Sequence, residues 1–300
     1  MTAIPAPAAV RAAGPGPRPK GLLRAVLRLH RTALVGWGLA LLAAVSFLFR
    51  LAALADEAER GNSACAIPAA EGLPSCAAVD AITADETYSN GIAFVTACLA
   101  WLIFPVAAWA GGALIGRELE NGTARLAWTQ SVTPAHWLTA KLAVPAVLLT
   151  LGTTALVLLG VWARGADNPN LVGDWYYPDV YVGTGPTAVA YALTGLALGA
   201  LAGMLLGRAL PAAGAAFGAA LLLFNLLERH REDLWPTVTR STEGWEVPRS
   251  AFQVTSSRTE LSYHPPSHFW PVQYVESGIL LATAGAAVAG AYWLLRRRTT

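Results

Sequence analysis

Apolar and polar positions alternate along the chain in long blocks. Six apolar runs lie at about 33–55, 91–116, 142–163, 183–207, 209–227 and 277–295, separated by polar or charged stretches. A helix needs about 20 residues to cross a hydrocarbon core of about 30 Å, and each run is close to or beyond that length. The pattern predicts an all-α membrane protein with six transmembrane helices. Before the first run, Lys20, Arg24, Arg28 and Arg31 share one side of a helical wheel, and Leu22, Leu23, Val26, Leu27 and Leu29 share the other. That spacing predicts an N-terminal interfacial amphipathic helix, with an unstructured basic flank as the simpler alternative. Residues 1–19, rich in Ala, Pro and Gly, read as a disordered leader, and residues 296–300 as a short tail. Ala53-Leu54-Ala55 imitates a signal peptidase site, but the leader is long and the apolar run exceeds the usual core of about 7–15 residues, so it is read as the first span.

The polar stretches differ in character. Gly116 to Lys141, between the second and third spans, is charged and amphipathic. Glu118, Glu120 and Asn121-Gly122-Thr123 describe a helix end broken by glycine, and Thr133-Pro134 supplies an N-cap followed by proline at the first helical position. Two short helices with a bend are expected. The second carries Trp137, Leu138 and Lys141 along one side as it enters the membrane, a shape suited to docking another protein. The other loops, 56–90, 164–182 and 228–276, hold different material. The first contains Cys65 and Cys76, close enough to form a disulfide on an oxidising side of the membrane. The second is crowded with Trp175, Tyr176, Tyr177 and Tyr181, as in an interfacial aromatic belt. The third, without clean alternation, reads as a small cap.

Within the spans, Gly195, Gly199, Gly203 and Gly207 recur every four residues, which predicts close backbone approach either inside the chain or at a dimer seam. Gly214 and Gly218 continue the small-residue theme. Pro105 is expected to bend the second span, Cys98 to fill apolar space, and Asn225 to bond another helix or line a pathway.

Composition and charge then narrow the function. With 55% hydrophobic and 13% charged residues, the chain falls far below the charge of a soluble domain, about 25%. A net charge of +2 argues against nucleic acid as a partner. No Gly-Lys pair exists, so the chain has no Walker A loop; ATP and magnesium, if used, belong to a partner. The leader, the 117–141 stretch with Lys141, the turn at Arg208 and the tail together carry thirteen lysines and arginines, against three in the two shorter remaining loops and their flanks. By the positive-inside rule both termini and the 117–141 loop are cytoplasmic, in a multi-pass plasma-membrane protein. Asn121-Gly-Thr123 is then an empty glycosylation sequon.

Glu118, Gly122-Thr123 and Leu138-x-x-Lys141 resemble the loop of ABC transporter permeases of the type-two exporter class, where the pattern runs E-x-x-x-G-T, a short helix, then L-x-x-K entering the third membrane helix. The resemblance covers this loop closely and the six-span layout loosely. It implies that the loop is the cytoplasmic coupling-helix region, with Glu118, Glu120, Gly122, Thr123, Trp137 and Lys141 facing a separate ABC ATPase subunit. It also implies a second permease copy or paralogue, and no catalysis in this chain. Many members have an arginine where this chain has Pro134, so no ion pair to the ATPase is assigned there.

Two other classes use the same spans. A sensor or assembly subunit would need no ATP hydrolysis. A membrane-bound hydrolase would draw on His264, His268, Glu246 and Glu260, but Pro265 and Pro266 break the helix that would aim both imidazoles at one zinc ion.

Overall fold

The computed structural model describes residues 28, 30–66, 79–129, 132–165, 167–241 and 247–299. The leader, most of the interfacial helix, Cys76, Glu246 and the side chain of Cys65 lie outside the described residues, and the disulfide with them. Among the described residues, six helices are long and apolar enough to cross a membrane. They are α1 (Arg31–Ala66), a composite second crossing, α6 (Pro134–Ala163), α9 (Thr187–Leu206), α10 (Ala209–Arg229) and α11 (Phe269–Thr299). Several reach past their apolar runs: α1 continues to Ala66, and α11 starts at Phe269 instead of 277. Helical hydrogen bonds propagate into polar sequence once a turn is nucleated, so hydropathy marks the membrane depth and not the helix end.

The second crossing is assembled from α2 (Val79–Ala100), α3 (Ile103–Trp109), a π-helical turn (Ala110–Gly116) and α4 (Arg117–Glu120). The break at Trp101 and Leu102 lies one turn before Pro105. Proline has no N–H for the Trp101 carbonyl, which instead accepts from Phe104 at 3.1 Å. The π-helical turn is rich in glycine because its neighbours are close. A Cβ on Gly111 would lie 2.7 Å from the Ala212 carbonyl oxygen of α10.

Helix α9 is the innermost, with 67% of its apolar window buried against 11% for α1. Its glycines set the approach. Cβ atoms on Gly195, Gly199 and Gly203 would sit 2.6 Å from the Ile103 oxygen, 2.5 Å from the Ala107 oxygen and 2.7 Å from the Ile115 Cβ, so this face packs inside the chain on α3 and the π-turn. Gly207 is a correction to the four-residue pattern: it ends α9 in the left-handed region with φ +61°, and its neighbour is the Arg298 guanidinium. Asn225 is exposed, and its amide donates to the Leu221 carbonyl of its own helix at 2.8 Å rather than to another helix of this chain.

Residues 164–186 fold into α7 (Pro169–Val172) and α8 (Pro178–Gly183), each opened by proline at its first position. The aromatics here are mostly not a belt. Tyr181 is fully buried, the Trp175 indole donates to the Ser250 carbonyl at 2.8 Å, and Tyr176 stacks on Phe252 at 5.4 Å. Only Tyr177 is largely exposed. They pack under the cap, which is a three-stranded antiparallel sheet of order β1-β3-β2, with β1 Val238–Ser241, β2 Phe252–Ser256 and β3 Glu260–His264. The sheet left no hydropathy signal because its strands are only four or five residues long, too short to show a clean alternation. Trp162, Trp270 and Tyr274 are further exposed aromatics.

Candidate functional site

The loop between the second and third crossings is built differently from the two short helices expected. After α4, Asn121 and Gly122 turn the chain, Gly122 at φ +71°. A free-standing short helix, α5 (Thr123–Thr129), follows. What the sequence offered as a second short helix is the first turn of α6 itself. Thr133 caps it, its Oγ1 accepting from the His136 N–H at 3.3 Å, with Pro134 at the first position.

This geometry turns the charged residues inward. Lys141, 2% exposed, is salt-bridged to Glu118 Oε1, and the Trp137 indole donates to Glu118 Oε2 at 3.0 Å. Lys141 Nζ also lies 2.7 Å from His30 Nε2. An ammonium only donates, so that ring nitrogen is the acceptor and the imidazole is neutral. Burial, and next the Lys141 ammonium, hold His30 below its ordinary pKa, against the opposing effect of Glu118. Trp128 of α5 stands edge-on to Trp137 at 5.7 Å, which seats the short helix on α6. Glu120 is exposed, but its Oε2 accepts from the Ala209 N–H at 2.9 Å, at the N-terminus of α10. Thr123 Oγ1 donates back to the Glu118 carbonyl at 3.2 Å across the turn.

Glu118, Trp137 and Lys141 therefore form one buried cluster near the start of α1, while Glu120 ties the loop to α10. Gly122 and Thr123 shape the turn. Besides Thr123, the exposed residues of α5 are ones the sequence reading did not single out: Arg125, Leu126 (59% exposed) and Thr129. The available signal was Leu126 itself, a large apolar residue directly after the cation Arg125.

A family model described as ABC-2 membrane transporter related matches residues 36–230. The chain belongs to that family. No curated protein and no solved structure matches it.

In this ABC-2 type permease the match takes in the first five crossings and the α4–α5 loop, and ends just before the cap and α11. The permease has a second buried polar cluster in that part. Arg231 binds Glu276 of α11 through Nε to Oε2 at 3.0 Å and through its terminal nitrogen to Oε1 at 3.3 Å, and Tyr191 of α9 donates to Oε1 at 2.6 Å. Gln273, one turn earlier, accepts from both the N–H and the hydroxyl of Thr187 and donates to the Tyr181 carbonyl. These contacts fasten α11 to α9 beside the apolar packing of Ala197 and Leu201 against Ala284 and Ala287. In the cap, the His264 and His268 Nδ1 atoms lie 3.0 Å apart, and His264 Nε2 is 2.9 Å from the Glu232 carbonyl. A carbonyl accepts, so His264 donates from Nε2–H and, as the neutral ring, accepts a hydrogen bond at Nδ1 from His268 Nδ1–H. Glu260 faces solvent. No group of three or more metal-capable side chains occurs among the described residues.

Proposed function

We propose that the permease is the membrane subunit of an ATP-driven exporter, paired with a second permease copy or paralogue and with separate cytoplasmic ATPase subunits that bind ATP and magnesium. The observation that carries this reading is the family match across the α4–α5 loop, together with a short helix that is seated on α6 by Trp128 and leaves Arg125 and Leu126 outside. An exposed leucine beside a cation suits a partner groove with an apolar floor and an acidic rim.

The loop is wired to transmit force. Glu118 holds α6 through Lys141 and Trp137, and Glu120 holds the start of α10. A displacement of α5 would then move the second, third and fifth crossings as one body. ATP binding by the partner would bias the permease between inward-open and outward-open states only through its different affinity for the two. Both termini and this loop are assigned to the cytoplasmic face by the arginine asymmetry.

The test is co-purification of any ABC ATPase encoded beside this permease with wild-type chain and with Leu126→Ser and Arg125→Glu, followed by ATP hydrolysis in the same detergent. We expect both variants to fold normally and to lose ATPase recovery. Wild-type recovery in both would overturn the docking role of α5, and a neighbouring ATPase that never associates with the chain would favour the sensor or assembly reading.

A further inference from the structure

A cavity of about 1110 Å³ opens beside α6, between its outer half, α9 and α11, beneath the cap. Its walls are apolar: Val157, Leu158 and Val161 of α6, Val189 and Leu193 of α9, and Leu281 of α11. The polar groups are concentrated at one end, where Arg164, Asp167 and Asp174 line it, with Ser277 as a further polar wall residue. From Arg164 to Thr154 the lining descends ten helical residues, about 15 Å, which is half of a hydrocarbon core of about 30 Å. The cavity thus has the depth of one leaflet, a polar mouth and a greasy shaft, and it exceeds the volume of an ordinary drug-sized site, about 300–1,000 Å³.

The mouth selects by charge. Arg164, 7% exposed, has its guanidinium taken up by the protein: Nε bonds Asp167 Oδ1 at 2.7 Å, and its terminal nitrogens face the Val172 and Gly173 carbonyls at 3.1 and 3.4 Å. An anionic head would meet a guanidinium already paired with Asp167 and bonded to two carbonyls. Asp174 is different. It is 7% exposed, its Oδ2 accepts from the Tyr176 hydroxyl at 3.2 Å, and its Oδ1 has no partner among the described residues. Ser277 Oγ is likewise buried and unpartnered. A buried carboxylate oxygen without a donor is costly unless something supplies one; among the lining side chains Asp167 offsets Arg164, which leaves Asp174 as the one unpaired charge, with Arg249 outside the lining on the Tyr176 side.

We propose that this cavity binds a single-chain amphiphile of the outer leaflet whose head is a protonated amine, the ammonium on Asp174 and the chain along Val157, Val161, Val189 and Leu193. The inference rests on the export reading only for the direction in which the amphiphile moves, and deepens it by naming a cargo class. Binding requires no ATPase, so the two fail separately.

The experiment uses the full chain in phosphatidylcholine nanodiscs and a hexadecylamine bearing a diazirine on its chain. Cross-linked peptides are mapped by mass spectrometry, with unlabelled hexadecylamine and hexadecanoate as competitors. Labelling should concentrate on residues 154–161 and 189–193, and be displaced by the amine at a concentration at least tenfold below the acid. It should fall about tenfold in Asp174→Asn, which keeps the shape and removes the charge, and vanish in Val189→Trp, which fills the shaft. A thermal unfolding curve for each variant separates lost binding from lost fold. Labelling that is undiminished in both variants, equal competition by the acid, or equal labelling of the outer surface of α10 would overturn the proposal, the last meaning ordinary annular lipid.

Discussion

The Arg231 guanidinium and the Glu276 carboxylate meet where neither reaches solvent: Arg231 is 6% exposed and Glu276 is 0% exposed, with Nε 3.0 Å from Oε2. The guanidinium also lies 4.2 Å from the centre of the Tyr181 ring, so its face is covered by π density while its edge is paired. Arg231 follows α10 directly and Glu276 sits two turns into α11, so this pair closes the bundle beneath the cap.

Removing one member leaves the other charged and buried. Arg231→Met or Glu276→Leu should each destabilise by about 3–5 kcal/mol, while the double variant should recover most of that loss, because a well-packed apolar pair avoids the desolvation cost. Equilibrium unfolding in mixed micelles measures all four forms. Additive losses would show that the two residues act independently.

The same logic revises what Glu118 does. As a partner of the buried Lys141, it holds the fold as well as the loop, so Glu118→Ala should lower stability by about 3–5 kcal/mol, and Glu118→Ala with Lys141→Met by much less. The check is the midpoint of thermal unfolding for the two forms. Leu126→Ser, on the open face of α5, should stay within about 0.5 kcal/mol of wild type.

His30 gives the fold a pH dependence with a definite sign. Its pKa is depressed in the folded state, chiefly by burial and then by Lys141, so the unfolded chain takes up the proton first. Stability from the neutral ring is present above about pH 6.5 and is lost as pH falls through the lower folded-state value. The unfolding midpoint should therefore drop as pH falls below about 6.5 in wild type, and drop less in His30→Gln. Parallel curves for the two proteins would remove His30 as the cause.

Glycines on two helices should respond oppositely. Gly199→Ala places a Cβ 2.5 Å from the Ala107 carbonyl oxygen and should cost about 1–3 kcal/mol through overpacking, despite the better helix propensity of alanine. Gly214→Ala on α10 meets nothing within 4 Å and should be neutral or stabilising by up to about 1 kcal/mol. Folded yield by size-exclusion chromatography and the unfolding midpoint report both.

Orientation is tested by reporters. Fusions at Thr300 and at Pro134 should read cytoplasmic, and fusions at Ser256 in the cap should read external, as the distribution of arginines requires. An external signal at Thr300 would reverse the assignment of every loop, and with it the leaflet to which the large cavity belongs.

The six crossings were legible in the chain because bilayer thickness converts directly into run length, and no tertiary contact is needed to apply that rule. The turn at Gly122 and the cap at Thr133-Pro134 were legible for a similar reason: both are set by a few neighbouring residues. What the residues could not disclose was direction. Glu118, Trp137 and Lys141 carry the same spacing whether they face a partner or one another, and only the placement of α6 beside α4 and His30 turned them inward. The glycines of α9 were ambiguous between a seam and an interior until α3 and the π-turn occupied that face. The Arg231–Glu276 pair joins residues 45 apart in sequence. The cavity likewise has lining contributed by α6, the α7–α8 loop, α9, the cap and α11. Local chemistry sets elements and their ends, whereas burial and partnership are properties of distant segments brought together, so they were decided only by the packing.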